Sequence, residues 1–333
     1  MIIPIQKVQP GVLRYTGLHF NSQSDIQHQV HQDLNKSGFT VQDIRDHRMI
    51  LDFSCEGHCD QVAAPLIKYL QSLPVQDLLV IYSTCVDTKQ LDYRALSMPN
   101  WMVTHSQWLS RLESMHYNDT VDQKFLCLMR RPSHSRAMIA RMLLDSNCDV
   151  RMSFGSAAIW ANEPFQHLFP DVNLPMLIDG VIDRVTNDTE HDQTNPVFHS
   201  CLFNLVVESS SQTDVGIWRS LFITEKTFKS FGLRQIPIWF AVPGLVQEIR
   251  KLGFDMFDDI VNHDYDSIPE EETRFRAVID QVRKLDQTLS ISQCQDIRKS
   301  LRDRLCENFD LLQQQHRNRV REIHYNAVKE FVK

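Results

Sequence analysis

The sequence is poor in the residues that break or loosen a fold. Its 333 residues include only 10 Gly and 13 Pro, too few for a collagen-like or low-complexity scaffold. No run approaches the ~18–20 consecutive apolar residues that a membrane-spanning helix needs. The opening segment, Met1-Ile2-Ile3-Pro4-Ile5-Gln6-Lys7, is too short and too soon broken for the apolar core of a signal peptide, so a cytoplasmic protein is expected. The eight Cys are scattered without zinc spacing. Several sit in apolar stretches (Cys127, Cys148, Cys201), and the one close pair, Cys55 and Cys59, is not a CxxC. Reduced core thiols are expected, and no metal. There is no Gly-rich phosphate loop and no nucleophile elbow. Asp171, Asp179 and Asp183 are spaced like loop residues, not like a metal clamp. Positive charge is not in excess either: 35 Lys and Arg stand against 42 Asp and Glu, a net charge of −7. That argues against bulk nucleic-acid binding while leaving room for a local basic cleft.

What is present is an ordinary globular composition, 42% hydrophobic and 23% charged. The apolar fraction excludes disorder as the main state, and the length suggests two domains. Strand and helix signals alternate through the first third. Strands are expected over Arg14–Phe20, Met49–Ser54 and the continuous apolar run Leu78–Ser83. Helices are expected over Ser24–Lys36 and Asp60–Leu73, the second with Val62, Leu66, Ile67 and Leu70 on one face. This β-α-β-α-β order predicts a small α/β domain with a parallel sheet. The polar stretch from Glu113 to Gln123 reads as a linker.

A second α/β unit then starts with the strand Phe125–Met129. It runs through Arg130-Arg131-Pro132-Ser133-His134-Ser135-Arg136 into a helix ending near Asp145. A shorter strand follows at Arg151–Phe154, then an irregular insertion over Ala161–Asn195, then a strand at Cys201–Val207 ending in Glu208. After a polar loop, Thr224 reads as a helix N-cap with Glu225 in the positive first turn. A strand follows at Ile236–Val242, then a helix opened by Pro243 and closed by Gly253. From Pro269 the chain reads as helical to its end, with a break near Ser290. The expected layout is therefore residues 1–117, residues 122–289 and a block of C-terminal helices over 290–333 packing back across the domains.

Four groups of residues could carry chemistry. Arg130, Arg131 and Arg136 surround a strand-loop-helix turn, where free N–H groups and guanidinium forks suit a diphosphate. The bland alternative is a solvated basic loop. Thr224-Glu225-Lys226 lies at a second such turn. There Lys can neutralise a phosphate and Glu can accept ribose hydroxyls, against the alternative of a capped helix with a surface ion pair. Glu208 ends its own strand, and ligands of open α/β sheets collect outside the carboxyl ends of strands. Glu56, with Asp52 and His58 nearby, could be a general base at a strand end, or a loop carboxylate.

Phe222-Ile223-Thr224-Glu225-Lys226-Thr227-Phe228, followed by Gln235-Ile236-Pro237-Ile238-Trp239, resembles the C-terminal donor-binding segment of the α-1,3/4-fucosyltransferase family. Val206-Val207-Glu208-Ser209 is similar to the segment that precedes it there. Ile50-Leu51-Asp52-Phe53-Ser54-Cys55-Glu56-Gly57 is weakly similar to the family's first-domain strand, although Gly57 and His58 replace its Ser-Pro. The combination Gly253-Phe254, Asp264-Tyr265-Asp266 and Arg274 is similar to glycosyltransferase-like proteins of viruses and environmental bacteria. The clear match covers Leu202 to Asp266.

The resemblance implies two Rossmann-like domains facing a cleft (the GT-B fold), with the donor in the second and the acceptor in the first. It implies inverting, metal-independent transfer of a sugar from a nucleotide-diphosphate donor, GDP-fucose in most of the family, to a glycan or other hydroxyl acceptor. Lys226 would sit on a donor phosphate, Glu225 on the ribose, Arg130 or Arg131 on phosphate, and Glu56 would be the base. A non-catalytic nucleotide or glycan sensor on a degenerate scaffold is the alternative. A sugar transferase acting on DNA bases would need a basic acceptor groove, for which the net charge gives no support.

Overall fold

The computed structural model describes residues 5–10, 12–15, 26–45, 47–52, 60–73, 75–82, 94–97, 117–129, 133–155, 165–174, 176, 199–208, 221, 223–318 and 325–333. Its elements begin with β1 (Ile5–Gln9), β2 (Val12–Tyr15), α1 (Ile26–Lys36), α2 (Val41–Arg45), β3 (Arg48–Asp52), α3 (Asp60–Ser72), β4 (Leu78–Tyr82) and β5 (Arg94–Ser97). There follow β6 (Gln123–Met129), α4 (His134–Asp145), β7 (Val150–Phe154), β8 (Cys201–Val207), α5 (Glu225–Gly232), β9 (Ile236–Phe240) and α6 (Leu245–Lys251). The chain ends in α7 (Glu271–Thr288), α8 (Ile291–Ser300), α9 (Arg302–Asn318) and α10 (Tyr325–Val332). This is a mixed α/β protein with two largely parallel sheets, one in each of two compact units. No helix among the described residues is long and apolar enough to cross a membrane.

The first unit holds β1 to β5, α1 to α3 and α10. Its sheet has the order β1-β2-β3-β4-β5, with β1 antiparallel to β2 and the other pairs parallel. Side chains alternate across a strand, and both faces here are apolar. Leu13, Tyr15, Met49, Leu51, Leu78 and Val80 pack with Ile26, Val30 and Leu34 of α1 and Leu66, Ile67 and Leu70 of α3. Val12, Ile50, Leu79 and Ile81 pack with Phe331 and Val328 of α10. Arg48 fixes α10 by donating to the carbonyls of Phe331 (2.6 Å) and Val332 (2.9 Å), groups a helix end leaves without partners. The buried Tyr15 hydroxyl donates to Asp33 on α1 (2.8 Å), and burial and that negative charge raise its pKa far above the usual phenol value.

The strand expected at Arg14–Phe20 starts two residues earlier, because Leu13 and Tyr15 are the residues that face α1 and α3. Thr16 to Phe20 lie outside the described residues. The short elements β1, α2 and β5 carry too few apolar residues to show a period in the sequence.

The second unit holds β6 to β9 and the helices from α4 through the body of α9. Its sheet is parallel throughout, in the order β7-β6-β8-β9. The chain therefore winds outward from β6 to β7, returns to β8 on the other side of β6, and continues to β9. Right-handed crossovers in opposite directions send connecting helices to opposite faces. One face carries Phe125 stacked on Phe203 (5.2 Å) and Phe240 against Phe275 of α7 (5.4 Å). The same face carries Phe154 packed on Phe165 and Phe169. The other presents Trp239 to Phe231 of α5.

Within the Ala161–Asn195 stretch the described residues include a 3-10 turn at Gln166–Leu168 between Phe165 and Phe169, and Met176, which bridges antiparallel to Phe154 at the edge of β7. The α7–α8 break falls at Ser290, which forms a capping box with Gln293. At the opposite edge of the sheet from the strand ends, buried Arg298 donates to the carbonyls of Asn118 (2.7 Å) and Cys201 (2.9 Å).

Candidate functional site

A helix that joins two parallel neighbours starts at the carboxyl edge of the sheet, so α4 and α5 both begin there. The winding reverses between β6 and β8, and the ends of these strands flank the crevice where open α/β sheets bind ligands. Arg130 and Arg131, directly after β6, lie outside the described residues. Ser133 is the N-cap of α4, its hydroxyl accepting the Arg136 N–H at 3.3 Å. Arg136 thus stands in the first turn of α4, half-buried. Its charge reaches Cys127 inside β6, where it opposes the burial that pushes the thiol up to about 12. One residue earlier, the Ser135 hydroxyl donates to Glu271 at the start of α7 (2.8 Å).

Glu208 prolongs β8, donating its N–H to the Phe240 carbonyl (3.1 Å), and is 2% exposed. Its carboxylate accepts both from the Thr227 hydroxyl and from the Thr227 N–H (3.3 Å). Thr227 is the third residue of α5, so that N–H is one of the donors a helix start leaves unpaired. The Thr227 hydroxyl oxygen in turn accepts from the Trp239 indole N–H (3.2 Å). Thr224, 1% exposed, directly precedes α5. Glu225 opens the helix, and its side chain lies outside the described residues. Lys226 is the second residue and is half-exposed. The sequence reading missed Thr227 and Trp239, although Thr227 belongs to the Thr-Glu-Lys-Thr run and Trp239 to the following strand. It also missed Ser135 and Glu271, which are too far apart in the chain to show as a pattern.

A buried network backs this edge. The Trp239 backbone N–H donates to the Tyr265 hydroxyl (3.1 Å), which is bonded to His263 Nδ1 (2.9 Å), and His263 Nε2 is bonded to the Met256 carbonyl (2.9 Å). Burial lowers the His263 pKa. The neutral ring fits the chain of donors in one sense, with Nε2 protonated and Nδ1 accepting. Asp266 accepts from the Val246 and Gln247 N–H groups (3.0 and 3.1 Å). The sequence placed the start of α6 at Pro243. The N-cap is Gly244 instead, held at φ 84, and Asp266 supplies the cap oxygen that a glycine lacks. Gly253, at φ 94, follows the helix end as expected. Arg274, 2% exposed, donates to the carbonyls of Ala241 (2.8 Å), Ile268 (2.8 Å) and Pro269 (3.0 Å). Asp266 and Arg274 of the sequence resemblance are thus tied to the backbone around β9.

In the first unit, Asp52 ends β3, fully buried and ion-paired with Arg14 of β2. Glu56 and His58 lie outside the described residues. Among the described residues no cluster of three or more His, Cys, Asp or Glu is placed to hold a metal ion. A groove lies between α4 and α7, with Met138, Met142 and Ile279 among its lining residues. Its charged residues are paired among themselves, as Arg276 with Glu272 and Arg283 with Asp280.

No family model matches the chain, and no curated protein matches its sequence. Among solved structures the chain is similar to the DNA-modifying enzyme β-glucosyltransferase, determined with and without its substrate uridine diphosphoglucose. The identity is 11% and the TM-score 0.33, over 82% of this chain and 75% of that one. The functional reading of this chain rests on its own residues.

Proposed function

We propose that this chain is a glycosyltransferase that moves a sugar from a nucleotide-diphosphate donor to a hydroxyl acceptor. What supports the reading above all is the start of α5. The helix carrying Glu225 and Lys226 begins at the carboxyl edge of a parallel sheet, beside the point where the winding reverses, with its first turn fixed by Glu208. Arg136 begins the neighbouring helix at the same edge, and Arg130 and Arg131 precede it in the chain. Cations at such an edge suit a diphosphate, and a carboxylate next to them suits ribose hydroxyls.

In this reading the two units form the two lobes of a GT-B enzyme. Lys226 and the Arg group neutralise the charge that grows on the leaving diphosphate, usually the largest catalytic contribution. Glu56, on the first lobe, takes the proton of the acceptor hydroxyl as that oxygen attacks the anomeric carbon from the face opposite the leaving group. One displacement inverts the configuration, and the cations do the work that a metal does in other transferases. Fucose from GDP-fucose is the donor sugar suggested by the Thr-Glu-Lys resemblance, with a glycan as acceptor.

The test is a thermal-shift screen of the full chain against GDP, UDP, ADP and CMP and their sugars, with and without a divalent cation. A ligand at 100 times its dissociation constant stabilises by about 2.7 kcal/mol. The expected result is a response to one nucleotide diphosphate, without need of the cation, that is lost in Lys226→Ala. Turnover in that variant should fall roughly 100–1,000-fold. Folded protein that responds to no nucleotide would overturn the reading and leave Thr224-Glu225-Lys226 as an ordinary helix start.

A further inference from the structure

We propose that Glu208 serves this site as a positioning residue, acting through Thr227 on the first turn of α5, and does not itself contact the ligand. The inference rests on the donor-site reading of α5. Glu208 stands where a ligand-binding carboxylate of an open α/β sheet would stand, at the end of β8, yet its side chain is turned into the protein. It is 2% exposed, and one carboxylate oxygen takes both the hydroxyl and the N–H of Thr227. Thr227 cannot turn away, because its hydroxyl oxygen also holds the indole N–H of the buried Trp239. Trp239 is itself fixed through its backbone N–H to Tyr265. β8, α5 and β9 are thereby locked together at the one point in the chain next to Lys226.

Two consequences follow. The carboxylate occupies an N–H in the first turn of α5, one of the donors that would otherwise attract an anion. Phosphate at this edge is then held by side chains, with Lys226 foremost, and less by the helix start. The place of Lys226 also depends on a hydrogen bond that the lysine does not make. A displacement of about 1 Å at a charged contact is enough to weaken it severely.

The variants that separate positioning from contact are Thr227→Val, Thr227→Ser and Glu208→Gln. Valine keeps the shape of threonine and removes the hydroxyl, whereas serine keeps the hydroxyl. Glutamine keeps an acceptor oxygen for Thr227 but loses the charge that two ribose hydroxyls or a bound cation would require. Two quantities are measured on the full chain: amide hydrogen exchange over residues 224–232 without ligand, and binding of inorganic pyrophosphate by 31P NMR.

Positioning predicts that Thr227→Val, which loses the hydroxyl's bonds to both Glu208 and Trp239, speeds exchange in the first turn of α5 and weakens pyrophosphate binding, each by at least about tenfold, the factor that even one lost buried hydrogen bond implies. Thr227→Ser and Glu208→Gln should both stay within about threefold of the parent. Three results would overturn the proposal. One is Glu208→Gln losing binding with α5 exchange unchanged, which makes Glu208 a ligand contact. Another is Thr227→Val leaving exchange at the parent rate. The third is Thr227→Val loosening α5 while pyrophosphate binds as before. If the parent protein does not bind pyrophosphate but Thr227→Val still loosens α5, the donor-site reading fails and the Glu208–Thr227 lock stands as a structural device alone.

Discussion

Arg274 offers the sharpest test of how the second unit is held together. It is 2% exposed, and its guanidinium donates to three backbone carbonyls, those of Ala241, Ile268 and Pro269, at 2.8 to 3.0 Å. The acceptors lie just after β9 and in the turn that leads into α7, so one side chain on α7 reaches back to a carbonyl 33 residues earlier in the chain. Replacing it by methionine keeps the stem and removes all three donors. The buried Ala241 carbonyl left unpaired costs about 1–3 kcal/mol, and those of Ile268 and Pro269, on partly exposed backbone, cost less because water can reach them. Against this stands the cost of burying the guanidinium, which the substitution relieves and which lowers the Arg274 pKa. The carboxylates of Glu271, Asp266 and Glu270 also lie close enough to feel the guanidinium charge, and the substitution removes that attraction as well.

The balance for Arg274→Met is a loss of about 3 kcal/mol. For a unit of this size that corresponds to a Tm lower by roughly 6–12 °C. Arg274→Lys, which brings one point charge where a planar fork had reached three oxygens, should lose about 2 kcal/mol. Urea unfolding of the full chain, followed by Trp fluorescence and by far-UV circular dichroism, gives both values. A methionine variant within about 0.5 kcal/mol of the parent, the range of ordinary surface substitutions, would refute the claim that these carbonyls depend on Arg274.

Other outcomes follow from the same contacts. His263 has its pKa lowered by burial, so the unfolded chain binds the proton more readily. The stability it contributes is complete above about pH 6.5, the unfolded value, and is lost as pH falls from there through the folded value. The groups facing it are Tyr265, Asp258, Asp266 and Arg250; His263→Gln should flatten the pH dependence of urea midpoints between pH 5 and 7. Asn147 follows the end of α4 at φ 54, so Asn147→Ala should cost about 1 kcal/mol and Asn147→Gly about nothing in the same urea assay. The buried thiols of Cys127 and Cys201 are pushed up to about 12 and that of Cys294 to about 11. Timed alkylation read by mass spectrometry should label the partly exposed Cys148 and Cys306 in the native protein, and these three only on unfolding. Arg48→Ala removes both donors to the end of α10 and should cost about 1–2 kcal/mol, with faster amide exchange over Tyr325–Val332.

The parts of the fold legible in the sequence are those whose burial is written in their composition. Phe125–Met129, Cys201–Val207 and Ile236–Val242 read as apolar runs because each holds a parallel strand covered on both sides, the last strand ending at Phe240. Leu66, Ile67 and Leu70 read as a helix face because α3 presents that face to the sheet. β1 and β5 were not legible: four- and five-residue edge strands such as Arg94–Ser97 bury too little to leave a period. The tie of α10 to the first unit was hidden too, since it rests on Phe331 and on Arg48, 283 residues apart in the chain.

For the site, chain position identified which charged residues stand at strand ends and helix starts: Glu208 after β8, Lys226 in α5 and Arg136 in α4. It could not say which way the Glu208 carboxylate turns. That depends on Thr227 and Trp239, nineteen and thirty-one residues further along. Nor could it separate the binding residues of the resemblance from its framework. Asp266 and Arg274 looked like part of a functional signature, and their hydrogen bonds go to the backbone of α6, β9 and the turn before α7.

In the proposed function, Lys226 and its neighbours hold a nucleotide diphosphate at the carboxyl edge of the second sheet. Calorimetric titration of GDP and of UDP into the parent protein and into Lys226→Ala, at low and moderate salt, tests it most directly. One of the two should bind the parent with an affinity that falls as salt rises, and Lys226→Ala should weaken it at least tenfold with the fold intact. Binding of equal strength to parent and variant would contradict it.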